Sequence, residues 1–417
     1  MRQQVHHANP PHTDLAAFRA QFPALERFAW LNTAGVPPGA RPVLAALRTA
    51  MEAWSDGTFD WTAWEADAEH ARAICARWLG VPPTSVALLA TLADAAATVA
   101  HGVAGLARAG HTRPRVVVSA AEFRSNLFPW LALADQGCEV TMLEPDADGL
   151  VRTEAIVAAT RPGVALVAVS EVQSATGHRV DAAAIAARCR EVGARSFFNL
   201  TQSLGVLPFD ASAVGADFVA AHSYKWLLAP RGATFLYVRP DRWGELAPLA
   251  PNWKNGGDLY GAPPHLNAPR APDDFPRYVE LYGGPYTLLG DARRADASLA
   301  WFSWVGARAA LELLDTLTPA EVETHCVSLA AAFRDGARVQ GYRVSAHEVP
   351  SQITSIELPT PADAGAASQA LLDADVVTSA RGTRLRFGFH AFNDASDVER
   401  ALVALERATS KHRRPNH

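Results

Sequence analysis

Six short apolar runs recur between residues 115 and 238, with helical patterns between most of them, and this alternation limits the fold more than any other feature of the chain. The runs are Arg115-Val-Val-Val-Ser, Glu139-Val-Thr-Met-Leu, Ala165-Leu-Val-Ala-Val, Ser196-Phe-Phe-Asn, Asp217-Phe-Val-Ala-Ala and Ala233-Thr-Phe-Leu-Tyr-Val. Each is short, rich in Val, Leu or Phe, and not strictly alternating, which is the pattern of strands buried on both faces. Helical patterns lie at 127–135, 181–192 and 211–214. The sequence therefore predicts an α/β domain built on a mostly parallel sheet.

With 417 residues the chain is too long for one core and suits a large domain with a smaller one. Helical patterns run through 40–55 and 63–80, and another starts at Leu15 with Asp14 as N-cap. The stretch 241–290 is rich in Pro and Gly, the composition of a long ordered loop over a site or an interface. Beyond it, helices at 300–314, 319–338 and 394–408 and strands at 352–358, 375–379 and 384–389 predict an α+β domain. The expected division is a large domain over 24–295, a small domain joining 1–23 to 296–410, and a tail at 411–417.

Hydrophobic residues make up 49% and charged residues 19%, which supplies a core and argues against global disorder. The formal charge is -5, and the basic residues gather only near the end, from Lys411, so no nucleic-acid partner is expected. Cys75, Cys138, Cys189 and Cys326 are widely spaced without a C-x-x-C pair, which supports neither zinc nor a disulfide framework. His6, His7 and His12 read as part of a polar, mobile end rather than as a metal site. Neither a signal-peptide core nor a membrane-length apolar stretch is found. The expectation is a cytoplasmic protein with no membrane partner and no metal.

In open α/β sheets, ligand groups gather beyond the carboxyl ends of the strands. Those positions hold Glu122-Phe123-Arg124-Ser125-Asn126, Ser170-Glu171-Val172-Gln173-Ser174, Asn199-Leu200-Thr201-Gln202 and His222-Ser223-Tyr224-Lys225-Trp226. Lys225 follows a buried strand and precedes the breakers Pro230 and Gly232. A desolvated lysine loses its proton easily and attacks carbonyl groups. A lone surface lysine in a loop would give the same local pattern.

The run from Asp217 through Ser-Tyr-Lys-Trp to Val238 resembles the cofactor-lysine segment of the class V aminotransferase family, and a weaker likeness extends from about residue 25 to 408. Its Ser-Tyr-Lys-Trp core is more similar to the kynureninase, isopenicillin N epimerase and ergothioneine-type C–S lyase branches than to cysteine desulfurases. The resemblance implies the fold type I of pyridoxal-phosphate-dependent transferases, with a seven-stranded-type sheet. It also implies pyridoxal 5'-phosphate held by Lys225 as a Schiff base, an amino-acid-like substrate, and a homodimer with shared active sites. By the same resemblance Phe123, or Arg124 one residue on, lies over the pyridine ring. Gln202 and Ser174 serve its phenolic oxygen. Ser223, Tyr224 and the helix start at Leu92 and Ala93 take the phosphate. Arg386 and the turn Asn32-Thr33-Ala34-Gly35 take the substrate carboxylate. Arg381 and Arg384 stand near Arg386, with Arg384 on the same strand face. Arg293, Arg294 and Trp301 fall in a stretch that in relatives reaches the partner subunit's phosphate, and a local salt-bridge cluster explains the arginines equally well.

Several positions depart from the family pattern. Asn199 stands where the family has an aspartate that keeps the pyridine nitrogen protonated, and an amide carries no charge. Leu92 and Ala93 replace hydroxyl-bearing residues, and Ser298-Leu299 replaces a Gly-Thr pair. No cysteine lies in 351–390 to act as the sulfur acceptor of a desulfurase. The implied reaction is β-elimination or C–S lysis, ahead of epimerisation, transamination and kynureninase-like C–C cleavage. A catalytically degenerate fold relative that only binds, and an unrelated α/β enzyme using Lys225 for carbonyl chemistry, are the remaining readings.

Overall fold

The computed structural model of the chain describes residues 14–108, 113–256 and 287–410. It begins with helix α1 (Leu15–Arg19), capped by the Asp14 carboxylate, which accepts the Ala17 N–H at 2.7 Å. Strand β1 (Ala29–Trp30) and helices α2 (Arg41–Ser55) and α3 (Trp61–Trp78) follow. The alternating region comprises β2 (Val86–Leu89), α4 (Leu92–Arg108), β3 (Arg115–Ser119), α5 (Arg124–Leu131), β4 (Glu139–Leu143) and α6 (Thr153–Ala159). It continues through β5 (Val164–Ser170), α7 (Ala182–Val192), β6 (Arg195–Asn199), α8 (Ala211–Val214), β7 (Phe218–His222) and β8 (Thr234–Val238).

The six predicted strands join β2 in one seven-stranded sheet of order β2-β8-β7-β6-β5-β3-β4. Only β8 runs against its neighbours, antiparallel to β7 and β2; the remaining pairs are parallel. Strands buried on two faces need cover on both. On one face Val116, Leu166, Phe197 and Phe218 pack with Val99 of α4 and Trp130 of α5. On the other Val117, Val167, Phe198 and Val219 pack with Ile74 of α3 and Ile185 of α7. Burying each of the adjacent Phe197 and Phe198 stabilises the fold by about 2–3 kcal/mol.

The rest of the described chain forms α9 (Trp301–Leu314), α10 (Pro319–Val339), β9 (Arg343–Val344), β10 (Ile353–Glu357), α11 (Pro361–Asp373), β11 (Val376–Val377), β12 (Ser379–Arg381), β13 (Arg384–Gly388) and α12 (Ala395–Ser410). An antiparallel sheet β12-β13-β10-β9 is covered by Phe333 of α10, Leu371 of α11 and Leu405 of α12.

Packing crosses the expected domain division at two places. β1 pairs in parallel with β11, so the N-terminal contribution to the smaller unit reaches past residue 23 to Trp30. α9, expected in the smaller unit, instead packs on the large one: Trp301 and Phe302 meet Trp64 of α3, and Trp304 meets Phe235 of β8. The two units touch closely at Gly177, which has φ +77° and sits against the Ile353 carbonyl, leaving no room for a side chain.

No helix among the described residues is long and apolar enough to cross a membrane, and no group of three His, Cys, Asp or Glu there could hold a metal. His6, His7 and His12, residues 257–286 of the Pro/Gly stretch and the tail at 411–417 lie outside the described residues.

Candidate active site

β3, β5, β6 and β7 release their chains along one edge of the sheet, with the reversal of strand order between β3 and β5. That edge is where an open α/β sheet forms its ligand crevice. Lys225 lies three residues beyond β7. Its carbonyl accepts the Leu228 N–H at 3.0 Å, and Leu228 holds φ 58°, an uncommon value for a branched side chain. Trp226 anchors the same turn. Its Nε1 donates to Gln202 Oε1 at 2.8 Å and its ring stacks on His390, whose Nε2 meets the Trp226 carbonyl at 2.9 Å. The stack continues from His390 to Phe392, which packs on Phe22 of the N-terminal segment, while Phe18 of α1 stacks on His390.

The Lys225 side chain is buried, 7% exposed, with Nζ 5.6 Å from the Phe123 ring centroid and 5.5 Å from that of Tyr224. Burial, followed by the charges of Arg386, Arg381 and Arg231, pulls its pKa from 10.5 down to about 7. A lysine in this state is available as a neutral amine near neutral pH. Phe123 N-caps α5 and is 54% exposed, an aromatic face left open beside a buried amine. Arg124, the adjacent candidate, lies instead over the Phe128 ring.

Arg386 on β13 is 1% exposed and has no acidic partner among the described residues. Its Nη1 donates to the Ser174 carbonyl at 2.7 Å and to Ser174 Oγ at 2.9 Å, and Nη2 donates to Ser379 Oγ at 3.1 Å. Its Nε has no partner at all. Burial and then Arg381 lower its pKa to about 9. Arg384 bonds instead to the Asp148 carbonyl and Ser345 Oγ. Gln202 bridges the assembly, its Nε2 donating to Ser174 Oγ at 2.9 Å and to the Ala34 carbonyl at 3.1 Å. Both its N–H groups are thus engaged within the chain. In the turn at 32–35, the Gly35 N–H is spent on the Asn32 carbonyl at 2.8 Å, so it is not the open donor that was expected. Asn32 Oδ1 is buried without a partner.

At the other end, Thr91 and Asp94 cap α4 reciprocally, with the Thr91 N–H and Oγ1 donating to Asp94 Oδ2 at 2.9 and 2.8 Å. The backbone N–H groups of Leu92 and Ala93 remain to face a ligand, as first-turn groups do. Thr234, paired with His222 across β7 and β8, donates to the Ala90 carbonyl and ties the lysine strand to this helix start. The expectation for Ser223 needs correction: its hydroxyl donates to the Ala233 carbonyl at 2.6 Å and has no second proton for a phosphate. His222 is the neighbouring polar side chain, at the end of β7. It is 5% exposed, its Nε2 has no partner, and it meets Tyr224 edge-on at 4.5 Å. Burial, then Arg231 and Lys225, hold its pKa down at about 3, so it is neutral. Its signal in the sequence is a single polar residue closing the apolar run 218–221. Arg231 lies over the Tyr224 ring at 5.5 Å. Arg293 is paired with Asp291 at 2.7 Å and Trp301 Nε1 donates to Glu65 at 2.8 Å, both contacts within the chain. Arg294 has a buried Nε without a partner.

A buried lysine, an open aromatic face and a buried arginine without an acidic partner among the described residues thus come together at the strand ends of an α/β fold, a candidate enzyme site. The aminotransferase class-V family profile matches residues 56–265, half of the chain, and the chain belongs to that family, whose enzymes use pyridoxal 5'-phosphate. A probable cysteine desulfurase of Methanothermobacter thermautotrophicus is 37% identical over 134 residues, 32% of this chain and 34% of that protein. The chain thus aligns with about a third of that curated relative's length. The uncharacterized aminotransferase YcbU of Bacillus subtilis is 24% identical over 393 residues, 94% of this chain and 97% of the relative. Among solved structures, the complex of the cystine C–S lyase C-DES with its reaction product cysteine persulfide superposes with a TM-score of 0.77 at 20% identity, covering 93% of this chain and 99% of that one.

Proposed function

We propose that this chain is a pyridoxal-phosphate-dependent enzyme that acts on an amino acid or an amine derived from one, breaking a C–S bond by β-elimination. The observation that carries the reading is the buried pair Lys225 and Arg386, neither of which has a carboxylate partner among the described residues, with the exposed Arg231 and Arg381 adding positive charge near Lys225. Unpaired buried charge is costly unless a ligand completes it. The residues present fit the cofactor. The Lys225 amine would hold it covalently, Phe123 would cover its ring, and His222 with the Leu92 and Ala93 N–H groups would meet its phosphate. Asn199, Ser174 and Gln202 line the strand ends between these points.

When bound, the cofactor withdraws electrons from the substrate's α carbon. Arg386 would orient the substrate carboxylate with its unfilled Nε. Lys225, released by the incoming amine, would take the α proton and return it as general base and acid, a role that suits a pKa near 7. All four cysteines are fully buried, and no disulfide joins them. Burial pushes the Cys189 thiol up to about 12 and raises Cys75 and Cys326 as well. No exposed thiol stands ready to carry sulfur as a persulfide, which favours direct release of the sulfur product. Cysteines without a disulfide also suit a reducing, cytoplasmic setting. A homodimer is part of the same reading, supported by Leu44, Met51 and Trp54, exposed along α2.

The test is an absorption spectrum of the purified protein with cofactor, before and after borohydride, beside Lys225→Ala. A visible band that borohydride bleaches, with the reduced cofactor on the peptide containing Lys225, is expected. S-substituted cysteines should then yield thiol, pyruvate and ammonia in equal amounts. A protein that stays colourless in excess cofactor overturns the reading, and alanine or an inverted amino acid as product overturns the elimination.

A further inference from the structure

Asn199 closes β6 at the position where family members carry an aspartate, and the structure shows what it is bonded to. Its Oδ1 accepts the Thr201 N–H at 3.0 Å, so its Nδ2 is the atom that faces Ser170 Oγ, at 2.8 Å. The Ser170 hydroxyl, accepting there, must donate onward, and its receiver is Glu122 Oε2 at 2.5 Å. The Ser170 N–H donates to Glu122 Oε1, also at 2.5 Å, and Asn126 Nδ2 donates to Oε2 at 2.8 Å. The backbone N–H thus fixes the Asn199 amide, and an ionised Glu122 accepts at the far end of the chain Asn199 to Ser170 to Glu122.

Glu122, Ser170 and Asn199 are all buried, and they come from the exits of β3, β5 and β6, across the reversal of strand order. Glu122 forms no ion pair among the described residues; three donors meet its two oxygens instead. Burial raises its pKa, against the hydrogen bonds of Ser170 and Asn126. A buried carboxyl group without a cation is costly as mere structure.

We infer that Glu122 is the positioning residue that replaces the absent aspartate at one remove: its negative charge, passed through the Ser170 hydroxyl to the Asn199 amide, keeps the cofactor's ring nitrogen protonated. The second lone pair of Asn199 Oδ1 is then the acceptor for that proton. This inference rests on the proposed function, in which Asn199 faces the ring.

The experiment is a nitrogen NMR measurement on protein loaded with pyridoxal phosphate labelled at the ring nitrogen, with no substrate present. Wild type should show a protonated ring nitrogen at neutral pH. Glu122→Gln, which keeps the shape and loses the charge, should lower that nitrogen's pKa by about 1–2 units, the usual scale for a neighbouring charge. Ser170→Ala should move it part of the way, and decides the matter should Glu122→Gln fail to fold. Adding Asn199→Asp to Glu122→Gln should restore the protonated signal. An identical ring-nitrogen state in wild type and in both single variants overturns the inference alone. A protein that takes up no cofactor overturns the functional reading beneath it.

Discussion

Two charged regions of this molecule are built on opposite principles. In one, Arg72, Lys254 and Arg293 are matched by Glu65, Glu69, Asp291 and Asp296: Arg72 meets Asp296 at 2.7 Å and Glu69 at 2.8 Å, and Lys254 meets Glu65 at 2.5 Å. Arg72 and Lys254 hold Glu69 at a pKa of about 2 despite its burial. The network joins α3 to the segment before α9, and Asp296 also receives the Leu88 N–H of β2. In the other region, the buried Lys225 and Arg386, with the exposed Arg231 and Arg381 near them, have no counter-ion among the described residues. The first region is complete as it stands and holds the fold together. The second is left electrically unfinished, which makes it a candidate site for anions.

The steepest change should come from the finished region. Arg72→Met leaves Asp296 and Glu69 buried without their cation and should cost about 3–5 kcal/mol in urea unfolding. The unfinished region should respond with the opposite sign. Lys225→Met should stabilise the protein without ligand by about 2–4 kcal/mol at neutral pH, because folding no longer has to strip a proton from a lysine that holds it in the unfolded chain. The folded chain holds fewer protons than the unfolded chain between pH of about 7 and 10.5, so wild-type stability should rise with pH across that window, and the variant should lose the slope. A variant that is destabilised instead would dissolve the contrast. Smaller again, Arg386→Leu should weaken the binding of an amino-acid carboxylate by about 2–3 kcal/mol with little loss of stability, read by titration calorimetry on the loaded protein. The weakest effect is expected from His222→Phe, a drop in phosphate-group affinity of about 1 kcal/mol, while Ser223→Ala should leave that affinity unchanged.

The strands were legible because burial on both faces writes itself as unbroken Val, Leu and Phe, as in Val116–Val118 and Phe197–Phe198. β2 escaped notice: Val-Ala-Leu-Leu is too short to stand out between two long helices. α11 was missed for lack of contrast, being rich in Ala, although Thr360, Pro361 and Asp363 spell its capping box. Lys225 and Arg386 could be picked out by residue type and place. The roles of His222 and Glu122 could not, since each depends on which atoms of neighbouring strands are already satisfied: the Ser223 hydroxyl by Ala233, and Asn199 Oδ1 by Thr201.

The aromatic stack behind Lys225 has a consequence for the order in which the protein matures on the ribosome. Phe18 and Phe22 emerge early, Trp226 midway, and His390 and Phe392 close to the end of synthesis. All seven strands of the large sheet are available once β8 has emerged, well before that last segment. A nascent chain can therefore complete its sheet while the turn that carries the lysine still lacks its backing. Competence to take up a ligand is acquired in a final step, when the two distant ends of the chain close on Trp226 from behind.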